Sequence, residues 1–280
     1  EKLGLASGVK TAMDMVGVVL SSLMMGFLIS SKDPDPKLAI SVIIAVLVVF
    51  GLINLLFTKE KSSVSDKKQS INLWQVIKET FDFKTVENKH FWQLLFSRFL
   101  FLVGIYGFQS FAQYFIRDKF PEQDPIMFTQ VVMGTFVTVL VIFSLVAGAL
   151  SDKVGRKKLQ ILSSVIGAIG AGLLIFAVTP AQLLIFGSFM GIGLGIFLSV
   201  NWAIANDMAP KAEAAKYMGL TNIATAGSAA VARLEGPVTD ILNNAAPGQW
   251  WGWTALFAFS GVLMLLSALA LLPVPESRKR

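Results

Sequence analysis

The sequence lacks cysteine altogether and contains a single histidine, His90, among its 280 residues. The chain therefore has no disulfide, no thiolate nucleophile and no cysteine-ligated metal. No two histidines or carboxylates recur at a ligand spacing such as H-E-x-x-H, and no glycine-rich phosphate loop follows a strand pattern. We therefore expect neither an enzyme nor a metal site nor a cofactor. His90 lies at the edge of a charged linker and is expected to be solvated.

Charge is also scarce. Charged residues make up 15% of the chain and hydrophobic residues 54%, whereas a soluble domain is roughly one-quarter charged. These proportions indicate a protein that crosses the lipid bilayer several times. The net charge of +6 could suggest a nucleic-acid partner, but the cations are divided among alternate loops rather than gathered on one face, so nucleic acid is excluded.

Eight apolar segments follow one another, each long enough to cross a bilayer of about 30 Å as an α-helix. They predict an all-α, polytopic membrane bundle with helices at approximately 5–30, 38–57, 91–116, 125–150, 157–178, 181–206, 214–241 and 251–273. Of the 24 lysines and arginines, 17 lie on one side of this bundle. Because cations in short loops stay in the cytoplasm, both termini are expected there. The plasma membrane is the expected location.

Residues 58–90 form the only long hydrophilic stretch of the sequence. Within it Leu73, Trp74, Ile77 and Phe81 recur at helical spacing, which predicts an amphipathic helix on the inner membrane surface. A disordered linker is the alternative. The stretch divides the chain into residues 1–57, the linker 58–90, and residues 91–280.

A charged loop separates two uncharged segments, residues 126–150 and 159–184. A generic cytoplasmic loop accounts for its cations but not for Asp152 or for the glycines around it. The pattern Gly-x-x-x-Asp-Lys-x-Gly-Arg-Lys-Lys over 148–158 resembles the signature loop of the major facilitator superfamily, which lies between the second and third helices of each six-helix half. The resemblance assigns gating to Gly148, Asp152, Lys153, Gly155, Arg156 and Lys157. Residues 206–210 with 216–220 resemble the superfamily's loop between helices ten and eleven.

The position of this loop implies which part of the superfamily's fold is present. The chain resembles helices five to twelve of a twelve-helix transporter, with the first four missing. Residues 1–57 would be the last two helices of the N-terminal half, and 91–280 the complete C-terminal half. The sequence also opens without methionine, as expected of a fragment. The implied function is secondary active transport of a small solute by alternating access.

Polar side chains in two helices are candidates to face that solute. Tyr106, Gln109 and Gln113 are spaced i, i+3, i+7, and polar groups inside a membrane helix face the bundle or a water-filled cavity. Hydrogen bonding between helices and contact with a ligand's hydroxyls both remain open. Asn201 and Trp202 follow a glycine run that permits either bending, as in substrate-binding helices, or close packing.

The resemblance leaves three functions open. The polar stripe from Tyr106 to Gln113 occupies a position similar to that of the paired glutamines in sugar porters. The sequence of residues 113–118 resembles that of the glycoside symporter branch. A sugar or glycoside, moved with a coupling proton or sodium ion, is therefore the expected solute. A drug or organic-ion efflux antiporter is the alternative, although the first helix lacks the proline of the antiporter motif. The second alternative is a membrane protein that binds or senses a solute without transporting it.

Five of the charged residues within predicted helices carry specific expectations. Lys10 and Asp14, one turn apart, predict an intrahelical ion pair, with a gate contact as the alternative. Arg98 is expected to snorkel toward the inner surface. Arg233 and Glu235 fall in the outer half of the seventh helix, where they are either functional or at the extracellular rim. Because an isolated charge in hydrocarbon is costly, both are expected to be buried or paired.

The resemblance also predicts a contact for Asp152. In the superfamily this loop faces helix five, which here begins with residues 4–10. Unpaired N–H groups at a helix N-terminus carry about half a positive charge and attract a carboxylate. We therefore expect Asp152 to lie against this helix start, with Gly148 allowing close approach and Arg156 orienting the carboxylate. Such a contact would latch the inner gate.

Overall fold

The computed structural model describes residues 3–29, 36–57 and 88–276. The amphipathic helix predicted within 58–90 thus falls almost entirely outside the described residues. The chain forms two compact units, one of residues 1–16 together with 87–280, the other of residues 17–86. The first unit holds every side chain discussed below.

The described residues are helical nearly throughout and contain no β-strand. Their helices are α1 Leu3–Ile29, α2 Pro36–Phe57, α3 Lys89–Lys119, α4 Pro125–Val154, α5 Arg156–Leu174, α6 Pro180–Met208, α7 Ala214–Ala232, α8 Glu235–Ala245 and α9 Trp251–Leu271, with a short 3-10 helix at Lys211–Glu213. Within these ranges, six helices (α2 to α6 and α9) are long and apolar enough to cross a membrane. The predicted all-α bundle is confirmed.

Local sequence determines where three of the long helices begin. Asn88 Oδ1 accepts hydrogen bonds from the backbone N–H groups of His90 and Phe91 at the start of α3. Asp124 caps α4, whose first residue is a proline, and Thr179 and Gln182 form a capping box at the start of α6. Each cap satisfies N–H groups that have no partner within the helix.

Aromatic side chains fill the core where α3, α6 and α9 meet. Phe101 of α3 stacks on Phe197 of α6 with ring centroids 3.9 Å apart. Phe115 of α3 meets Phe257 of α9 edge to face at 5.0 Å. All four rings are fully buried or nearly so. The polar stripe predicted on α3 therefore has to lie on the faces of α3 that these rings leave free.

The glycines of α6, which is one uninterrupted helix, permit close packing against its neighbours. A Cβ atom on Gly195 would lie 2.3 Å from the Leu140 carbonyl oxygen of α4, and one on Gly191 would lie 2.7 Å from the Phe136 carbonyl oxygen. On the other side of α6, a Cβ atom on Gly193 would lie 2.9 Å from the Gly167 backbone of α5. Helix α6 thus packs backbone to backbone against both neighbours.

The predicted seventh helix, 214–241, is wrong as a single element because the chain breaks at Arg233 and Leu234 between α7 and α8. Pro237 has no N–H to donate to the Arg233 carbonyl, which disrupts a continuous helix at that point. Gly236 allows Phe111 of α3 to pack into the break, since a Cβ atom there would lie 2.7 Å from its ring. The other seven predicted helices agree with the observed ones to within four residues.

Replacing Gly195 with alanine should destabilise the bundle, because the new methyl group would clash with the buried Leu140 backbone. Overpacking of this kind costs about 1 to 3 kcal/mol. Gly134→Ala is the matched control, since no atom lies within 4 Å of its Cβ position. Thermal unfolding of the purified full-length protein in detergent should show a lower midpoint for Gly195→Ala only. Equal midpoints for the two variants would contradict the packing argument.

Candidate transport site

The predicted signature loop is reduced to one non-helical residue, Gly155, because α4 runs to Val154 and α5 begins at Arg156. Gly155 has a φ of 112°, a left-handed conformation that favours glycine. We call the end of the bundle that carries Gly155 the loop end. The short connection holds the last turn of α4 and the first turn of α5 in a fixed relation.

Arg156 joins three helices at the loop end. Its Nη2 donates to Asp152 Oδ1 at 2.9 Å, and its Nη1 pairs with the carboxylate of Asp207 at the end of α6. The Arg156 side chain is largely buried, and both carboxylates are partly buried. The expected orientation of Asp152 by Arg156 is present. The sequence analysis did not predict the ion pair of Asp207. Asp207 does belong to the stretch 206–210 that resembles a loop of the superfamily, and its place at the end of a predicted helix indicated the loop end.

Glu276, which follows α9, was also missed. Its Oε1 accepts hydrogen bonds from the backbone N–H groups of Arg156 and Lys157 at 2.8 and 3.2 Å. The N-cap residue of α5 is Gly155, which has no side chain to cap the helix, so Glu276 supplies the anion that this N-terminus attracts. Lys157 Nζ donates to the Leu272 carbonyl at 2.5 Å, whereas Lys153 is exposed. The feature of the sequence that could have indicated Glu276 was its position as a lone carboxylate after Pro273-Val274-Pro275.

Helix α1 packs against α4 at the loop end. A Cβ atom on Gly8 would lie 2.7 Å from the Ser144 carbonyl oxygen and 3.2 Å from Gly148 Cα. Gly148 thus permits the close approach that was expected of it. Asp152 follows one turn after Gly148 on α4. Direct contact between Asp152 and residues 4–10 stays a prediction.

A second polar cluster lies deeper in the bundle, around Arg98 of α3. Arg98 is only 2% exposed, so the expectation that it snorkels to the surface is wrong. Its Nη1 donates to Asn201 Oδ1 of α6 at 2.5 Å, and its Nε donates to Thr225 Oγ1 of α7 at 2.9 Å. These hydrogen bonds replace water around the guanidinium, which explains why it can be buried without reaching the surface.

The Trp202 ring lies near two cations, Arg98 of this cluster and Lys10 of α1. The guanidinium carbon of Arg98 and the Nζ of Lys10 each lie 5.0 Å from the Trp202 ring centroid, within the range of cation–π attraction. Lys10 also pairs with Asp14 at 2.5 Å, and both side chains are more than half exposed. The predicted intrahelical pair is therefore present. The ring of Trp202 is half-buried and lies beside Asn201 in the sequence.

The polar stripe on α3 points away from the core. Tyr106 and Gln109 are half-buried and Gln113 is exposed. Among the side-chain hydrogen bonds of residues 3–29, 36–57 and 88–276, none involves the amide of Gln109 or Gln113. Of the two explanations for the stripe, hydrogen bonding between helices is therefore not supported for Gln109 and Gln113 in that part of the chain. Tyr106 is the stripe residue nearest to Arg98 along α3, eight residues or roughly 12 Å of helix rise away.

The two charges predicted in the seventh helix have different surroundings. Glu235 is 9% exposed, and its carboxylate lies against Gly107 of α3, where neither oxygen has a hydrogen-bond partner among the described residues. A cavity of about 530 Å³ adjoins it, lined mainly by apolar residues of α7, α8 and α9. Arg233 is exposed and belongs to no ion pair in the described ranges. The expectation of burial or pairing is correct for Glu235 and wrong for Arg233.

A family model described as Major Facilitator Superfamily matches residues 123–280, more than half of the chain. The chain belongs to the major facilitator superfamily. The minor myo-inositol transporter IolF of Bacillus subtilis (strain 168) is 30% identical over 134 residues, which are 48% of this chain and 29% of that protein. A solved structure of the proton:xylose symporter XylE bound to 6-bromo-6-deoxy-D-glucose matches with a TM-score of 0.71 at 20% identity, over 98% of this chain and 65% of the symporter.

The chain thus spans less than two thirds of either protein. The structural match shows the major facilitator fold, as the sequence predicted. Membership makes the protein a multi-pass integral membrane protein of a transporter superfamily, not an enzyme.

Asp152→Asn should shift the equilibrium of this superfamily member away from the form in which the loop end is closed. The variant weakens the pairing with Arg156 and, if Asp152 meets α1 as predicted, removes an attraction of about 0.3 to 2 kcal/mol. Because the chain contains no cysteine, spin labels on single cysteines introduced in α1 and α5 can report the distance. Asp240→Asn, at an exposed site on α8, is the control. An unchanged distance distribution in Asp152→Asn would reject the latch.

Proposed function

We propose that the chain is the larger part of a secondary active transporter that carries a sugar or glycoside by alternating access. The observation that carries this proposal is the face of α3 that presents Tyr106, Gln109 and Gln113. An amide both donates and accepts hydrogen bonds, and so does a sugar hydroxyl. Amides without partners in the described part of the chain suit such a ligand, and Tyr106 adds an aromatic surface for a sugar ring.

The relatives support this choice of solute class. One is named as a myo-inositol transporter and the other as a proton:xylose symporter, so both are named for small polyhydroxylated molecules. Because the identities are low and the coverage is partial, the choice of substrate depends on the residues of this protein rather than on its relatives. Coupling to a proton or a sodium ion is part of the proposal.

The proposed cycle places the loop end in the cytoplasm, as the distribution of lysine and arginine predicts. Helices α4, α5 and α6 pack through glycine backbones and would move as one body. Arg156 ties this body together through Asp152 and Asp207. Rocking of this body against α1 would open and close the loop end, while the face of α3 remains the fixed site around which access alternates.

Gln109→Ala and Gln113→Ala should each weaken binding of a transported sugar while leaving membrane insertion intact. Loss of one hydrogen bond to a neutral partner costs roughly 0.5 to 1.5 kcal/mol. Gln93→Ala is the matched control, because Gln93 lies on the same helix at the loop end and hydrogen-bonds His90 at 3.0 Å. Binding of labelled myo-inositol, xylose and glucose to full-length protein in nanodiscs is the measurement.

Unchanged affinity in both α3 variants would remove these amides from the site. Flux measurements in proteoliposomes then separate the alternatives. Binding of a sugar without flux in either direction would favour a sensor. Flux of organic cations with no flux of sugars would favour an efflux antiporter.

A further inference from the structure

The buried cluster around Arg98 has more hydrogen-bond donors than acceptors. A guanidinium cannot accept a hydrogen bond, so the Asn201 atom that faces Arg98 at 2.5 Å must be the amide oxygen. The Nδ2 of Asn201 is then a donor, and it is fully buried with no partner among the described residues. Two neighbouring side chains, Trp202 and Lys10, also carry only donors. A further acceptor would complete the cluster.

The Arg98 guanidinium also lacks a counter-charge. No carboxylate lies within ion-pair distance of Arg98 in residues 3–29, 36–57 and 88–276, and its two hydrogen-bond partners are neutral. The ammonium group of Lys10, beside the same Trp202 ring, is exposed and already pairs with Asp14, so the uncompensated charge is that of Arg98. A buried charge with no counter-charge is costly. An anionic ligand would offset that cost.

The number of donors and their arrangement favour a carboxylate. A guanidinium presents parallel N–H groups that match the two oxygens of a carboxylate. The Asn201 amide is fixed beside it by the hydrogen bond to Arg98. Tyr106 is the residue of the polar stripe nearest to Arg98 along α3, eight residues or roughly 12 Å of helix rise away. One ligand with hydroxyls and a carboxylate could therefore meet the cluster and Tyr106, whereas Gln109 and Gln113 lie roughly 16 and 22 Å along the helix from Arg98.

We propose that Arg98, Asn201 and Trp202 bind the carboxylate of the transported solute, so that the solute is a sugar acid rather than a neutral sugar. This inference rests on the proposed function for its sugar part. The Trp202 ring covers the guanidinium in this structure, and Lys10 of α1 lies over that ring. Movement of α1 away from α6 would release Trp202 and open the cluster.

The test compares binding of D-glucuronate, D-glucose and lactate to the full-length protein in nanodiscs by calorimetry. We expect glucuronate to bind roughly tenfold to hundredfold more tightly than glucose, as charge-assisted hydrogen bonds predict. Arg98→Gln should remove this preference and leave glucose affinity within about twofold. Arg98→Lys should retain part of it because the charge remains. Arg117→Gln, at an exposed cation of the same helix, should keep the full preference.

Asn201→Asp provides a second test in case Arg98→Gln does not fold. The new carboxylate would supply the missing anion from within the protein, so glucuronate preference should be lost while the thermal midpoint is kept or raised. A preference for glucuronate that survives in either variant would overturn the proposal. Equal losses for glucose and glucuronate in Arg98→Gln would also overturn it, since they would make Arg98 a structural brace.

The panel separates the two proposals. If glucose and glucuronate bind equally to the unaltered protein, the carboxylate site is rejected and sugar binding stands. If lactate binds in an Arg98-dependent way and neither sugar binds, the carboxylate site stands and the sugar function is rejected. If none of the three probes binds, both are rejected.

Discussion

The close approach of helix backbones to α6 is the contact on which the rest of the structure depends. In a bilayer, lipid is as apolar as any side chain, so helices associate through tight packing and hydrogen bonds rather than through the hydrophobic effect. Glycines on two sides of α6 allow this packing against α4 and α5. The same helix then carries Asn201 toward Arg98, and Asp207 toward Arg156. The glycine contacts thus determine the positions of both polar clusters.

The two clusters differ in how charge is balanced. At the loop end, Arg156 has two carboxylates, and Glu276 meets the positive end of α5, so the region can hold together without a ligand. Around Arg98 there is a cation with neutral partners only, among the described residues. A transporter needs both kinds of arrangement, because a gate must be stable by itself while a binding site must gain stability when the solute arrives.

Much of this could be predicted from the sequence. Apolar length gave seven helices to within four residues, and the Gly-x-x-x-Asp pattern gave the family. The break at Arg233 was missed because helical periodicity continues through it, and only Pro237 signals it. Arg98 was misjudged because snorkelling depends on position along one helix, whereas its burial depends on Asn201 and Thr225 from two others. Glu276 was missed because its partners lie about 120 residues earlier in the chain.

That last contact attaches the segment after α9 to the loop end. Glu276 is held by two backbone N–H groups of α5, next to the arginine that joins three helices. Any force on the segment after α9 would therefore be transmitted to the first turn of α5. A protein domain fused directly after this residue would pull on the contacts of Arg156 at the loop end. A flexible spacer before the fusion would keep the two mechanically separate.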